Sequence, residues 1–389
     1  SLPTRRSRVR PPLPAPKIKM VTNNKEPTID ELFVQATKFH QNNNLEEAEQ
    51  LYKTILDKNS NFISAQNNLG LIYKNKGENE KAKICFKKVI EIDSEITEAQ
   101  NNLGLTFQQS GENEKAINCF KKSIKIDPNY SSAYYNIASI FHKMGKLKIA
   151  KSYYEKAIEI KPNYTEAYNN LGIIFNQLEE NENAILYCKK AIDTNSSFFN
   201  AHFNLGLIFQ KIDENEKAIN CYENAIRINP NFFNAYNNLG ILFKKLGESQ
   251  KAKNCYENAI RINPKFSDAY NNLGVYFTDL GKTEDAIYNY AEAFIHNPKN
   301  KDAQLNLIND LTFYTPNKSK NINNPIIDAN NALREANQEF TFEDLLDDNY
   351  LAIFFENSNK AFSPVKHILD DLKFNETQTF RRNPNHFNC

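Results

Sequence analysis

An all-α solenoid of stacked helix pairs is the fold this sequence predicts. Three observations predict it: a motif that returns every 34 residues, apolar positions with helical spacing, and short polar breaks between them. "AYNNLG" stands at 167–172, 235–240 and 269–274. "AQNNLG" at 65–70 and 99–104, "AYYNIA" at 133–138 and "AHFNLG" at 201–206 complete the series, each start 34 residues from the last. The alternation that a half-buried strand requires is absent from the chain.

The chain opens with residues 1–28, read as a disordered leader. Its first twenty residues hold six Lys/Arg and no acid, are rich in proline, and lack the apolar core of a secretory signal. The opening "SLPTRRS" resembles a translated adapter fragment, so Met20 is expected to lie at or near the native start.

Eight repeats follow at 29–300. Seven begin at Ile63, Thr97, Ser131, Thr165, Phe199, Phe233 and Ser267, and a divergent one at Ile29 precedes them. In the repeat at 165–198, Ala167, Tyr168, Leu171, Gly172 and Phe175 mark one helix, and Ala184, Ile185, Cys188, Ala191 and Ile192 a second. "GENEKA" or a variant breaks the pattern between them. Gly70, Gly104, Gly172, Gly206, Gly240 and Gly274 fall mid-helix, where glycine costs about 1 kcal/mol relative to alanine. Close approach of the second helix offsets that cost. Ala82, Ala116, Ala150, Ala184, Ala218, Ala252 and Ala286 are read as the small surface facing the glycines, with Tyr73, Phe107, Phe141, Phe175, Phe209, Phe243 and Phe277 between them. Pro128, Pro162, Pro230, Pro264 and Pro298 stop each second helix.

Residues 301–314 carry Ala303, Leu307 and Leu311 on one face and Asp302, Asn309 and Asp310 on the other, the pattern of a capping helix. A polar linker is expected at 315–340. At 341–389, "FEDLLDDNYLAIFF" and "PVKHILDDLKF" read as two amphipathic helices, either a small helical tail or the start of a truncated second domain.

The small-Leu-Gly, aromatic, Ala, aromatic and Pro positions at a 34-residue period resemble the tetratricopeptide repeat (TPR) family. The resemblance covers 29–300, about 70% of the chain. It implies eight TPR helix pairs coiled into a right-handed α-superhelix, with a concave groove lined by the first helices. The chain departs from it in having Ser60, Ser94 and Ser196 where the family has proline, and in having no tryptophan.

Composition excludes several functions. Residues 21–300 hold 33 basic and 34 acidic residues, by subtraction of the 6 and 0 at 1–20 and the 9 and 13 at 301–389 from totals of 48 and 47. With no basic cluster visible along the sequence, no nucleic-acid partner is expected. No apolar run approaches the roughly 20 residues of a membrane span. No phosphate-cradling glycine loop, metal-binding HExxH or CxxC motif is present, and the six histidines lack ligand spacing, so neither catalysis nor a cofactor is expected. Cys85, Cys119, Cys221 and Cys255 share one repeat position, too far apart to pair, which together with Cys188 and Cys389 predicts free thiols and a cytoplasmic protein.

That leaves the asparagine before each repeat leucine: Asn68, Asn102, Asn136, Asn170, Asn204, Asn238, Asn272 and, in the cap, Asn306. One step from the buried leucine, it is expected to point along the groove, where an amide can bond the backbone of an extended peptide. The row resembles the asparagine ladder in the TPR arm of O-GlcNAc transferases. The competing reading is composition, because the chain holds 58 asparagines. Lys74, Lys143, Lys211, Lys244 and Lys245 add an expected positive fringe. The position-5 and position-9 residues of a carboxylate clamp are not present. Two functions result: a scaffold that binds a protein or peptide in the groove, or the substrate-recruiting arm of a glycosyltransferase-like enzyme whose catalytic domain lies beyond Cys389.

Overall fold

The computed structural model describes residues 26–313. The expectations for 1–25 and for 314–389, including the linker, the helices at 342–355 and 364–374 and the thiol of Cys389, lie outside the described residues. Within 26–313 the chain forms helices and turns, with no strand. It divides into two compact bodies, Ser1–Met144 and Gly145–Cys389.

The first body contains α1 (Ile29–Gln41), α2 (Leu45–Lys58), α3 (Ile63–Asn75), α4 (Asn79–Ile92), α5 (Thr97–Gln109), α6 (Asn113–Ile126) and α7 (Ser131–Lys143). The second contains α8 (Leu147–Ile160), α9 (Thr165–Gln177), α10 (Asn181–Thr194), α11 (Phe199–Lys211), α12 (Asn215–Ile228), α13 (Phe233–Lys245), α14 (Ser249–Ile262), α15 (Ser267–Asp279), α16 (Thr283–His296) and α17 (Lys301–Phe313). Every first helix of a repeat has 13 residues and every second helix 14, so the period of the sequence is the period of the fold. The cap expected at 301–314 is α17.

Positions are numbered 1–34 from each repeat's first residue. The "GENEKA" break is a connected device. Its first residue, position 15, has positive φ, as at Gly77 (76°) and Gly111 (76°), which reverses the chain in a left-handed step that favours glycine. The glutamate after it stands at the N-cap position, by the next helix's positive end, and pairs with the lysine three residues on: Glu78 with Lys81 (2.5 Å), Glu112 with Lys115 (2.5 Å), Glu214 with Lys217 (3.1 Å). That lysine also lies over the position-11 ring, at 5.3 Å for Lys81 on Tyr73, 5.6 Å for Lys115 on Phe107 and 5.5 Å for Lys217 on Phe209. The alanine that ends the motif is fully buried in all of them.

The return loop has its own device. Position 31 is Asp or Asn in seven of the eight repeats, and its side-chain oxygen accepts from the backbone N–H two residues on, as Asp127 does from Asn129 (2.9 Å) and Asn195 from Ser197 (3.0 Å). Lys161 is the exception.

One packing expectation needs correction. The surface pressed against each mid-helix glycine is position 24 of the second helix, not the alanine at position 20. A Cβ built on Gly104 would lie 2.6 Å from the Phe120 ring, and on Gly206 2.6 Å from the Tyr222 ring. The glycine is a notch for an aromatic edge. Phe86, Phe120, Tyr222 and Tyr256 fill such notches and are among the largest side chains fully withdrawn from water. The position-11 rings instead close the outer side of each pair beneath the lysines.

Candidate functional site

The residues singled out by sequence lie on the first helices, so the site is built from what holds those helices side by side. All eight asparagines at position 6 are half-buried. They are neither in the core nor fully exposed. Each is tied backwards to the preceding repeat.

The partners fall into two sets. Where position 5 of the preceding repeat is asparagine, the amide nitrogen donates to its side-chain oxygen: Asn102 to Asn67 (3.5 Å), Asn136 to Asn101 (2.9 Å), Asn204 to Asn169 (2.8 Å), Asn272 to Asn237 (3.0 Å) and Asn306 to Asn271 (3.0 Å). Where position 5 is Phe33, Tyr135 or Phe203, no such acceptor exists, and a tyrosine at position 24 supplies one. Asn68 donates to the Tyr52 hydroxyl (3.1 Å) and Asn170 to that of Tyr154 (3.0 Å). Asn238 is bonded to the Tyr222 hydroxyl, whose own proton goes to Gln210 Oε1 at 2.5 Å. Burial pushes the Tyr222 hydroxyl up, and the bond from Asn238 opposes this. The rule holds at every repeat junction. Within each body the amides form a spine of Asn–Asn and Asn–Tyr links.

The positive fringe is also largely spoken for. Lys211 Nζ donates to the Asn176 carbonyl (3.3 Å), Lys244 pairs with Asp279 (3.1 Å) and Lys245 with Asp213. Burial holds the Lys74 ammonium below its ordinary range. Position 9 lines the same face with Leu71, Leu105, Ile173, Leu207 and Val275, all half-buried. Phe203 leans on Tyr222 (5.6 Å) and Phe232 (4.9 Å). The face is therefore amide and aliphatic, with Lys244 and Lys245 of its lysines paired to acids.

The five described cysteines are free and buried. Burial pushes the Cys85 thiol up to about 11 and that of Cys188 to about 12, so neither is a nucleophile at neutral pH. No cluster of three metal-ligating side chains exists among the described residues. No described helix is long and apolar enough to cross a membrane.

Sequence reasoning missed the position-5 asparagines and the position-24 tyrosines as partners of the row. The signal was present, since Tyr52, Tyr154 and Tyr222 occur in the repeats whose position 5 lacks an amide. It required comparing two positions at once.

Comparison with known families agrees with this architecture. Models described as tetratricopeptide or TPR repeats match residues 63–96 and 131–164, 107–145 and 213–247, 233–266, and 255–288. A model described as the Est1 DNA/RNA binding domain matches 150–217. No curated protein matches the chain. Among solved structures, the APC/C hetero-tetramer Cut9–Hcn1 aligns with a TM-score of 0.53 at 18% identity, over 72% of this chain and 56% of that one. The chain thus spans little more than half the length of that relative. PilF of Pseudomonas aeruginosa aligns over 55% of this chain and 96% of its own, at 20% identity and a TM-score of 0.49.

Proposed function

This is a tetratricopeptide-repeat protein, an all-α solenoid of the kind that serves as a protein-interaction scaffold, and we propose that it holds an extended polypeptide segment along the face of its first helices. The amides of Asn68, Asn102 and Asn136 in the first body, and those of Asn170, Asn204, Asn238, Asn272 and Asn306 in the second, are the reading groups. The observation that carries this is the spine. A primary amide has two N–H donors and an oxygen, and the spine bond uses one of those three groups while fixing the orientation of the rest. Side chains already ordered lose little entropy when a ligand arrives. The surrounding leucines and isoleucines offer apolar contact, and the pairing of Lys244 and Lys245 to acids leaves a mildly positive fringe that fits a segment of no strong charge.

A test must separate reading from mere support. Changing Asn136, Asn170, Asn204 and Asn238 together to alanine removes reading groups and spine bonds alike. Changing their acceptors instead (Asn101→Leu, Tyr154→Phe, Asn169→Leu and Tyr222→Phe) removes the bonds and leaves the row. Both variants should lose thermal stability, since each bond contributes about 1 kcal/mol. For the tightest binder from a random peptide library, the donor variant should lose roughly two to four orders of magnitude in affinity. The acceptor variant should lose tenfold or less. Equal losses in the two would mean that the row supports the fold and does not read a ligand.

A further inference from the structure

The near-neutral charge of the repeats conceals a cluster that appears only when helices are stacked. Positions 25 and 26 of the second helix are Lys87 and Lys88 in α4, and Lys121 and Lys122 in α6, with Lys125 one turn further on. Four of the five are exposed and Lys88 is half-buried. None of them makes an ion pair among the described residues, whereas their neighbours Lys81, Lys83 and Lys115 are all paired to glutamates. The two helices are locked together at their start by the buried Lys83, which pairs with Glu112 at 2.5 Å and lies 5.1 Å over the Phe107 ring. Burial raises the Cys119 thiol, and Lys122 of its own helix and Lys87 of the other both pull it down. Within the second body α10 keeps Lys189–Lys190 at these positions, whereas the stacked pair α12 and α14 has Glu223–Asn224 and Glu257–Asn258 and gives an internal control. The repeat does not require lysine there.

Five uncompensated charges on one face repel each other, and a polyanion that covers them lowers that energy. The surface chemistry narrows its class. There is no arginine fork among the five and no aromatic side chain on which a base could stack, which disfavours single-stranded nucleic acid. One apolar side chain does stand out: Ile84, 66% exposed, three and four residues before Lys87 and Lys88 and so on their side of α4. An acidic segment with apolar side chains fits that combination. The chain itself supplies one outside the described residues. Residues 342–356, "FEDLLDDNYLAIFFE", hold five acids and no base, with Glu343, Asp344, Asp347 and Asp348 spaced i, i+1, i+4, i+5 beside leucines, isoleucine and phenylalanines.

We propose that the outer face of α4 and α6 is a docking surface for the acidic segment 342–356 of this chain, from the same copy or from a second one. The face is distinct from the first-helix face of the amide row.

Carbodiimide coupling of carboxylates to lysines in the full chain, followed by peptide mapping, tests it. Crosslinks from Glu343, Asp344, Asp347 and Asp348 should fall mainly on Lys87, Lys88, Lys121, Lys122 and Lys125. Changing Lys87, Lys88, Lys121 and Lys122 to glutamate should cut crosslinking of this face to the segment at least tenfold. Adding Glu343→Lys, Asp344→Lys, Asp347→Lys and Asp348→Lys to that variant should restore it with the chemistry reversed. Circular dichroism checks that each variant is folded, and a Lys→Gln set at the same positions replaces the glutamates if it is not. Crosslinks spread evenly over exposed lysines such as Lys148 and Lys217, or no rescue by the charge swap, would overturn the proposal. So would lysine-dependent binding to phosphatidylserine vesicles or to single-stranded RNA while the segment's crosslinks stay unchanged.

Discussion

The repeat at 165–198 and its neighbour at 199–232 share a backbone plan and solve its central packing problem in opposite ways. The neighbour has Cys221 then Tyr222, so the ring turns inward and fills the notch above Gly206. The repeat at 165–198 has the order reversed, Tyr187 then Cys188. There the notch at Gly172 is met by the Cys188 sulfur at 2.5 Å, with the Cys188 backbone nitrogen at 3.2 Å and the Ala184 carbonyl at 3.3 Å from the site of a Cβ. Tyr187, displaced outward, stacks on Phe175 at 5.0 Å and 18°. Lys151 covers that Phe175 ring at 4.5 Å, doing the task that the lysine of "GENEKA" performs elsewhere. Two residues exchanged in sequence thus move a ring from the core to the outer face. The same fold tolerates either placement because the notch accepts any group that does not exceed its volume.

The largest effect that distinguishes the two repeats is at the glycines. At Gly206 the obstruction to a methyl group is the far end of a tyrosine ring, which can give way. Ala36, standing at that position in the first repeat with Tyr52 opposite, shows that a methyl group and a ring can both be fully buried there. At Gly172 the obstructions are a short side chain and the backbone itself. Gly172→Ala should therefore cost about 1–3 kcal/mol through overpacking. Gly206→Ala should come within about 1 kcal/mol of neutral, as the gain in helix propensity offsets ring movement. Urea unfolding of the full chain compares the two. Equal losses would show the ring to be as unyielding as the backbone.

A middle-sized effect lies in the spine. The link into Asn204 comes from Asn169, and the link into Asn238 from Tyr222. Asn204→Ala and Asn169→Ala should each lose about 1 kcal/mol, and the double variant should lose less than their sum, because both remove one bond. Tyr222→Phe should lose at least as much as Asn238→Ala, since the hydroxyl also donates to Gln210. Additive losses in the first pair would mean that the Asn169–Asn204 bond is not formed in solution.

How much of this was legible in sequence follows from what each signal depends on. The helix boundaries were, because the left-handed step at position 15 and, in five of the eight repeats, the proline after the second helix act within a few residues of themselves. The notch was half legible: Gly172 and Gly206 announce close approach, but only the fold shows that the approaching side chain is position 24, with Ala184 contributing its backbone carbonyl alone at Gly172. The asparagines were hardest. A uniform excess hides at least three distinct physical tasks, namely the donor Asn204 in the spine, its acceptor Asn169, and the turn residue Asn195. Charge counted along the chain missed the α4 and α6 lysines for a related reason, since stacking adds like positions of neighbouring repeats, and a linear count averages them with the glutamates between. The groove expected from the family resemblance was, likewise, a statement about a face, and its residues turned out to be committed to one another first.

The smallest effect concerns the turn between the paired helices, where both repeats break the glycine habit. Glu179 sits at φ 63° and Asp213 at φ 59°, the left-handed region that side chains other than glycine enter at a cost of roughly 1–2 kcal/mol. Glycine at either site removes that cost and brings back part of it, about 0.5–1 kcal/mol, as extra freedom of the unfolded chain. Glu179→Gly should therefore raise stability modestly, by about 0.5–1 kcal/mol. Asp213 differs in two respects. Aspartate is among the residues that tolerate this region, and its carboxylate holds Lys245 of the following repeat. That pair is solvent-exposed and contributes about 0.2–1 kcal/mol, which the glycine would forfeit. Asp213→Gly should come out near zero, and raising salt should narrow the gap between the two variants by screening the pair in the parent chain. Thermal melts at low and high salt give both numbers. If Asp213→Gly stabilised as much as Glu179→Gly at low salt, the Lys245 contact would contribute nothing, and the two repeats would differ only in where their rings point.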